Sequence, residues 1–161
     1  MRSDGPAVFS KYPIRAKETH LLSEENARAA VRADIEIEGK IIHVFSTHLI
    51  HTHQKDSPLQ EAQVEKLISL VPKENSIVMG DFNATPHSTA IQKMKKVFTD
   101  TDSASKPTWS VYPEGCSTCK PQAIDTRLDY IFTTPDIATD SFKVENSDAS
   151  DHLPVSVFVE I

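Results

Sequence analysis

The chain has 161 residues, a formal net charge of −6 at pH 7, and 25% charged against 39% hydrophobic residues. This length is typical of one domain, which buries roughly 70% of its unfolded surface and needs no disulfides to stay folded. The sequence contains no apolar run long enough to span a bilayer, and its first ten residues lack the charged-then-apolar pattern of a secretory signal. The negative charge disfavours broad binding to a phosphate backbone, although a local basic cleft could still hold one phosphate.

The first part of the chain predicts a short strand, a loop and a β-hairpin. Residues 7–9 are apolar and predict the short strand, and the polar stretch 15–26 predicts the loop. Apolar residues at every second position of 31–37 indicate a half-buried strand. A turn with a glycine follows, and residues 41–47 return as a second strand, at whose end His48 stands.

A helix is predicted between Ser57 and Pro72. Ser57 suits the N-cap, Pro58 suits the first helical position, and Gln60 can close a capping box. The apolar face of this helix comprises Val64, Leu67, Ile68 and Val71. A strand follows from Ser76, so that strand, helix and strand alternate as they do in layered α/β domains.

This strand ends in Gly80-Asp81-Phe82-Asn83. If the extended geometry continues past Gly80, the spacing of two places Asp81 and Asn83 on one face at the strand's end, with Phe82 on the other. Taken alone, the motif is equally consistent with a polar turn, because Gly, Asp and Asn are common turn residues.

The rest of the chain predicts one more helix and three strands. The helix after Pro86 has an apolar side formed by Ala90, Ile91, Met94 and Val97. Residues 100–121 form a long irregular segment, in which Trp109 is equally consistent with a core residue and with a wall of a substrate site. The strands are predicted at residues 128–133, 142–144 and 155–161.

Several polar residues are interpreted without a functional role. His51 and His53 are expected to be exposed loop residues, and the lysines of residues 93–96 are expected on the solvated face of a helix. Cys116 and Cys119 form a single Cys-x-x-Cys. A four-ligand zinc site needs two more ligands, which no second cysteine pair supplies, so free thiols or a local disulfide are favoured over zinc.

Polar clusters adjoin apolar runs at four places. They are Ser46-Thr47-His48-Leu49, Gly80-Asp81-Phe82-Asn83, Arg127-Leu128-Asp129-Tyr130 and Ser150-Asp151-His152. Together they supply three carboxylates, two imidazoles and an amide. This combination favours a functional site over four unrelated turns.

In this order, the clusters resemble the endonuclease/exonuclease/phosphatase superfamily, which includes deoxyribonuclease I, abasic-site endonucleases, sphingomyelinases and inositol-polyphosphate phosphatases. The resemblance extends to residues 9–14 and to Gln63 on the predicted helix, with Gln60 where the family usually has an arginine. It implies an α/β sandwich of two mixed β-sheets flanked by helices. It also implies a metal-dependent phosphoester hydrolase, with Mg²⁺ or Mn²⁺ as cofactor.

The resemblance also implies roles for the clustered residues. Asp81 would orient or deprotonate the attacking water, and Asn83 would hold this water or the phosphate. His152 would contact the phosphoryl group, with its tautomer and charge fixed by Asp129. His48 would assist from the other side of the phosphate.

Further contacts are expected from the same resemblance. Asp151 and Asp81 would contribute to the metal site, because carboxylate oxygens suit Mg²⁺ and Mn²⁺. Apart from the resemblance, Trp109, as a stacking surface, and Arg127 are expected to contact the substrate together with Asn83. The motifs are shared by all branches of the family, so nucleic acid, phospholipid and small phosphorylated molecules all remain as substrates.

The start of the chain departs from the family. Members begin with a strand that carries an asparagine, followed by a Gln-Glu pair whose glutamate holds the catalytic magnesium. Here the stretch that normally follows both, Phe9-Ser10-Lys11-Tyr12-Pro13-Ile14, is near Met1, and nothing marks Asp4 as a replacement. We therefore expect one domain over residues 1–161 that lacks its N-terminal strands.

Two further expectations follow from this departure. Missing strands would leave a sheet edge exposed, and self-association through that edge is one expected outcome. The alternative to an enzyme is a catalytically impaired fragment or pseudoenzyme that acts as a binding or interaction module.

Overall fold

The computed structural model describes residues 5–24, 27–52, 55–109 and 124–161. In chain order the elements are β1 (Ile14–Ser23), β2 (Arg28–Ile37), β3 (Lys40–His48), α1 (Pro58–Leu70), β4 (Ser76–Asp81), α2 (Thr89–Lys95), β5 (Thr99–Asp100), β6 (Asp129–Thr133), β7 (Thr139–Val144) and β8 (Val155–Val159). The expectations for Asp4, His53, Cys116 and Cys119 fall outside the described residues.

The strands form one mixed six-stranded sheet, in the order β1-β2-β3-β4-β6-β5, and a second sheet of β7 and β8. The predicted hairpin is confirmed, since β2 pairs antiparallel with β3 from Ala30↔Thr47 to Ile37↔Lys40. Its two turn residues, Glu38 and Gly39, have φ values of 53° and 83°, as a two-residue hairpin turn requires. β3 and β4 are parallel, with α1 as the connection between them. The predicted α/β architecture is therefore confirmed.

The two helices pack on one face of the large sheet. The buried side chains on this face include Phe45, Val78 and Phe132 from the sheet and Leu67 and Met94 from the helices. Burying an apolar side chain of this size contributes roughly 1.5–3 kcal/mol. The opposite face carries a separate apolar cluster of Ala33, Ile35, Ile42 and Val44. β8 of the small sheet contacts β6 of the large one.

Two sequence predictions at the start of the chain are wrong. Residues 15–26, predicted as a loop, contain most of β1. This strand lies at the edge of the sheet and is largely exposed, so it lacks the apolar alternation of a half-buried strand. Residues 7–9, predicted as a strand, are not in a strand, and Phe9 is 94% exposed.

The helices differ from the predictions mainly at their ends. Ser57 precedes α1, and Pro58 is its first residue, but the Ser57 side chain makes no capping hydrogen bond. Gln60 does not close a capping box, because its side chain points to the loops beyond β3 and β4. Val97 lies beyond the end of α2 and is 46% exposed, so it is not part of the apolar face. β5 overlaps the segment predicted to be irregular only at Asp100.

None of the helices in the described part of the chain is long and apolar enough to cross a membrane.

The ends of β3 and β4 approach each other closely at Gly80. Its φ is 140°, and a Cβ built there would lie 2.0 Å from the carbonyl oxygen of Thr47. Both observations exclude a side chain at this position. Gly80 thus allows the two strands to pair up to their last residues, His48 and Asp81.

Candidate active site

Three polar side chains lie in one row across neighbouring strands. His48 at the end of β3 pairs with Asp81 at the end of β4, and Asp81 pairs with Asp129 at the start of β6. Residues that are directly paired in a sheet project to the same face, and adjacent strands lie about 4.8 Å apart. The strand register therefore brings these three side chains together, although 33 and 48 positions separate them in the sequence.

Asp81 lies at the centre of this row. Its Oδ1 accepts a 2.7 Å hydrogen bond from the backbone N of Asn83, and its Oδ2 is 3.4 Å from Nε2 of His48. Burial, followed by the like charge of Asp129, raises the pKa of Asp81 to about 6. The carboxylate is therefore poised to take up a proton near neutral pH.

His152 lies between the two aspartates. Its Nδ1 is 2.7 Å from Oδ2 of Asp129, and its Nε2 is 3.9 Å from Oδ2 of Asp81. Because a carboxylate can only accept, Nδ1 carries the proton of this hydrogen bond. Burial opposes the charged ring, but the hydrogen bond and negative charge of Asp129, with Asp81 and Asp151, raise the pKa of His152 above its ordinary value. The predicted pair of Asp129 and His152 is confirmed.

His48 has the opposite electrostatic environment. Burial, followed by the positive charges of Arg28 and His152, lowers its pKa below the ordinary value of histidine. Around the ordinary pKa of histidine, His48 is therefore mainly neutral while His152 is mainly charged.

Asn83 is 5% exposed and adopts a left-handed backbone conformation with φ of 49°. Its Nδ2 donates to the carbonyl oxygen of Leu49 at 3.1 Å. Its Oδ1 lies 3.0 Å from Nδ1 of His51. Asn83 thus links the loop after β4 to the loop after β3. His51 is exposed, as the sequence predicts, and it also lines the cleft.

Two glutamines of α1 hold these loops. Gln60 Nε2 donates to the carbonyl oxygens of Ile50, Phe82 and Asn83 at 2.9, 3.2 and 3.1 Å. Gln63 Oε1 accepts from the backbone N of Ile50 at 3.0 Å. Since both glutamines are buried, α1 determines the backbone path on either side of the site.

Trp109 lines the open cleft above this row. The indole is 9% exposed, lies 6.3 Å from the ring of His152, and donates from Nε1 to Oδ2 of Asp151 at 3.3 Å. The cleft is about 440 Å³ in volume and is lined by His48, His51, Asp81, Asn83, Trp109, Leu128, Asp129, Asp151 and His152. The two interpretations of Trp109, as a core residue and as a wall of a substrate site, each hold in part, because the side chain is buried and also lines the cleft.

Arg127 does not reach this cleft. Its guanidinium is 1% exposed, forms two hydrogen bonds with Asp100 at 2.7 and 2.9 Å, and lies 4.1 Å from the ring centre of Tyr130. A guanidinium held in this way is not available to a substrate. The expected substrate contact of Arg127 is therefore replaced by a structural ion pair.

Within the cleft, Asp81 and Asp129 approach each other. One ligand atom from each of Asp81, Asp129 and His152 lies within 4.8 Å of the other two. Asp151, expected as a metal ligand together with Asp81, is exposed and lies outside this group. The two carboxylates fit a divalent cation, since they offer hard oxygen donors and their mutual repulsion would be relieved by it.

Sequence reasoning found the row but not its supporting residues. His51, Gln60 and Thr108 all contact site residues through hydrogen bonds. The available signal for Gln60 was its helical spacing of four and seven residues from Val64 and Leu67 on the predicted apolar face. Neither His51 nor Thr108 stands in a pattern that would have distinguished it from an ordinary loop residue.

Comparison with known proteins places this geometry in a family. The model of the Endonuclease/Exonuclease/phosphatase family matches residues 1–152. Phospholipase C of Staphylococcus aureus is 27% identical over an alignment 155 residues long, with 82% of this chain and 46% of that protein covered. The chain thus spans about half the length of the curated relatives it matches.

Solved structures share the fold. A mannosyl-6-phosphatase from Bacteroides thetaiotaomicron superposes with a TM-score of 0.68 at 20% identity, covering 94% of this chain and 68% of its own. A mutant beta toxin from Staphylococcus aureus with bound magnesium ions has a TM-score of 0.61 at 22% identity, covering 92% and 66%. The match over 152 of the 161 residues shows that the chain belongs to the endonuclease/exonuclease/phosphatase family.

Proposed function

We propose that this chain carries most of the active site of a metal-dependent phosphoester hydrolase. The observation that carries the proposal is the row of His48, Asp81 and Asp129 with His152 between the two aspartates. It offers a proton acceptor, a charged hydrogen-bond donor and two carboxylate oxygens around one open cleft. In-line attack of water on a phosphorus atom requires these groups.

Each side chain has a role that its environment supports. Asp81, with its pKa raised to about 6, orients the attacking water and accepts its proton. His152, held by Asp129, which raises its pKa, donates from Nε2 to a phosphoryl oxygen. His48 contacts the phosphate from the other side as a neutral imidazole. Asn83 positions the water through the loop that it shares with Asp81.

We further propose that Asp81 and Asp129 hold the metal ion. Nδ1 of His152 is bound to Asp129 and its Nε2 is assigned to the phosphate, which leaves the two carboxylates as the donors. Mg²⁺ is the ion that best fits two carboxylates supplemented by water and phosphate, and it is the ion bound in the beta toxin structure. When bound, such an ion polarises the phosphoryl group and offsets the charge that develops on it.

The cleft favours a substrate of low charge with an apolar or aromatic part. Its lining, among the described residues, includes three carboxylates and no lysine or arginine, while Trp109 and Leu128 provide an apolar wall. A phosphodiester with one negative charge suits this lining better than a polyanion does. Nucleic acid, phospholipid and small phosphorylated molecules are the candidate substrate classes, and relatives include both a phospholipase C and a mannosyl-6-phosphatase.

The test is hydrolysis of bis(p-nitrophenyl) phosphate, with p-nitrophenyl phosphate as the monoester comparison, with and without Mg²⁺. We expect Mg²⁺-dependent release of p-nitrophenol, faster for the diester, which Asp81→Asn abolishes. The matched control is Asp140→Asn, which removes an exposed carboxylate from β7 and leaves the cleft intact.

The same assay decides between the enzyme and its alternative. If neither ester is hydrolysed although inorganic phosphate or Mg²⁺ changes the fluorescence of Trp109, the hydrolase proposal fails. The binding or interaction module would then be the better account of the chain. Self-association through a sheet edge stays a prediction, for which sedimentation analysis is the measurement.

A further inference from the structure

Thr108 is a buried residue beside the pair of Asp129 and His152. It is 0% exposed, and its hydroxyl lies 2.6 Å from Oδ2 of Asp129. The same hydroxyl oxygen accepts hydrogen bonds from the backbone N atoms of Leu128 and Asp129 at 3.2 and 3.3 Å. Since the carboxylate can only accept, the hydroxyl proton points at Asp129, and both capacities of the hydroxyl are used.

The backbone of Thr108 reaches the other member of the pair. Its carbonyl oxygen accepts from the backbone N of Leu153, next to His152, at 2.7 Å. The following residue, Trp109, forms β-bridges with both Thr126 and His152. Residues 108 and 109 therefore join the segment that leads into β6 to the segment that leads into β8.

Two donors meet on one oxygen of Asp129. Oδ2 accepts from Thr108 at 2.6 Å and from Nδ1 of His152 at 2.7 Å. Rotation of the carboxylate would break both hydrogen bonds at once. The second oxygen, Oδ1, accepts no hydrogen bond from the described residues and so stays available to the cleft.

We propose that Thr108 is a positioning residue, whose hydroxyl locks the carboxylate of Asp129 so that His152 keeps its proton on Nδ1 and directs Nε2 to the cleft. This role rests on the proposed function, because it assigns Nε2 of His152 to the substrate. The tautomer of a histidine is set by the hydrogen bond that its other nitrogen makes. The hydroxyl therefore acts on the reaction through Asp129 and not by touching the substrate.

A second threonine provides the matched comparison. Thr133 lies at the other end of β6, is 0% exposed, and has a hydroxyl without a hydrogen-bond partner among the described residues. Thr108→Val and Thr133→Val remove the same group from equally buried positions. Only the first contacts Asp129.

The direct test is ¹⁵N NMR of the His152 ring in metal-free buffer, at a pH where the ring is neutral. We expect the Nδ1–H form in the wild type, in Thr108→Ser and in Thr133→Val. In Thr108→Val we expect a mixture shifted towards the Nε2–H form, which free histidine favours. An unchanged tautomer in folded Thr108→Val would overturn the proposal.

If Thr108→Val does not fold, the hydroxyl proton of the wild-type protein provides the answer. A hydrogen bond to Asp129 predicts slow exchange of this proton with water, whereas exchange as fast as that of an exposed hydroxyl overturns the proposal. Both measurements need no turnover, so they separate a failure of this inference from a failure of the hydrolase assignment.

The kinetic counterpart is a fall in kcat with KM unchanged. Loss of a group that supports a catalytic or ligand side chain commonly costs about 10- to 100-fold, and we expect Thr108→Val near the lower end. Thr108→Ser, which keeps the hydroxyl, should restore most of the rate. A fall of the same size in Thr108→Ser would contradict the role of the hydroxyl.

Discussion

Two groups of charged residues lie on either side of β6, and they differ in their balance of positive and negative charge. The cleft cluster consists of Asp81, Asp129 and Asp151 with His48 and His152. The Arg127 cluster consists of Arg127 and Lys95 with Asp100 and Asp102. In the Arg127 cluster two permanent cations face two carboxylates. In the cleft cluster, imidazoles are the only cationic partners of the carboxylates among the described residues.

The carboxyl groups of two aspartates, Asp100 and Asp81, have pKa values shifted in opposite directions by these surroundings. Burial disfavours the charge of Asp100, but hydrogen bonds and charge from Arg127 and Lys95 outweigh it and lower the pKa of this carboxyl. Burial and the neighbouring Asp129 raise the pKa of Asp81. A balanced cluster stabilises the fold, and an unbalanced one stores repulsion that a proton, a cation or a substrate can relieve.

The largest expected effect is on catalysis in Asp81→Asn. We expect the rate of bis(p-nitrophenyl) phosphate hydrolysis to fall about 10³-fold, or about 4 kcal/mol, because the proton acceptor is lost. The same variant should be more stable than the wild type. The raised pKa of Asp81 corresponds to a cost of up to about 3 kcal/mol when the group is ionised in the folded state.

The sign of this stability change gives a pH test. Because the folded state holds the proton of Asp81 more tightly, wild-type stability should rise as the pH falls from about 6 to about 4. Asp81→Asn should be more stable at neutral pH and lack this rise in urea unfolding. A variant less stable than the wild type at neutral pH would show that Asp81 is not under repulsion.

The second-largest expected effect is on the free energy of unfolding, through the Arg127 cluster. Arg127→Met should destabilise the protein by about 3 kcal/mol in urea unfolding, because it leaves Asp100 buried without its main partner. The stability that Asp100 contributes above its unfolded pKa, and loses as the pH falls, should largely disappear. Lys95→Met, at a more exposed partner, is the smaller control. The pKa of Asp81 should be unchanged.

A smaller effect is expected from Mg²⁺. Trp109 is the only tryptophan of the chain, so its fluorescence reports on the cleft. We expect weak binding that changes the emission of Trp109 and raises stability by about 1.4 kcal/mol at a Mg²⁺ concentration ten times Kd. Asp81→Asn should abolish both changes and Asp140→Asn should keep them. Equal responses in the two variants would exclude the proposed ligand.

The smallest expected effect concerns the two histidines. In an NMR titration, His152 should titrate above the ordinary pKa of histidine and His48 below it. Asp129→Asn should lower the pKa of His152, since it removes the charge that raises it. If the pKa of His152 does not respond, Asp129 and His152 are not coupled as the structure indicates.

The position of the site was predictable, but the pairing within it was not. Asp81 and Asp129 were identified because each adjoins an apolar strand. That β4 pairs with β6, and therefore Asp81 with Asp129, depends on a strand order that no local pattern contains. The family resemblance implies a metal role for Asp151, but it does not show that Asp151 lies outside the group formed by Asp81, Asp129 and His152.

The outcomes for Arg127, β1 and α1 also depend on what a local sequence pattern contains. Arg127 is expected at the substrate, and no local pattern shows that its partner is Asp100, which is 27 residues away in the sequence. β1 was not recognised because an exposed edge strand carries polar residues on both faces. α1 was predicted because its buried apolar residues recur at the period of a helix, and this spacing is visible in the sequence.

Gly80 has a consequence for how the site tolerates substitution. It makes no contact that the chemistry requires, yet a single methyl group there would meet the carbonyl oxygen of Thr47. The separation of β3 and β4, and with it the distance between His48 and Asp81, is thus set by the absence of a side chain. Position 80 therefore tolerates no residue other than glycine. A change in the distance between His48 and Asp81 must come from other contacts of the two strands.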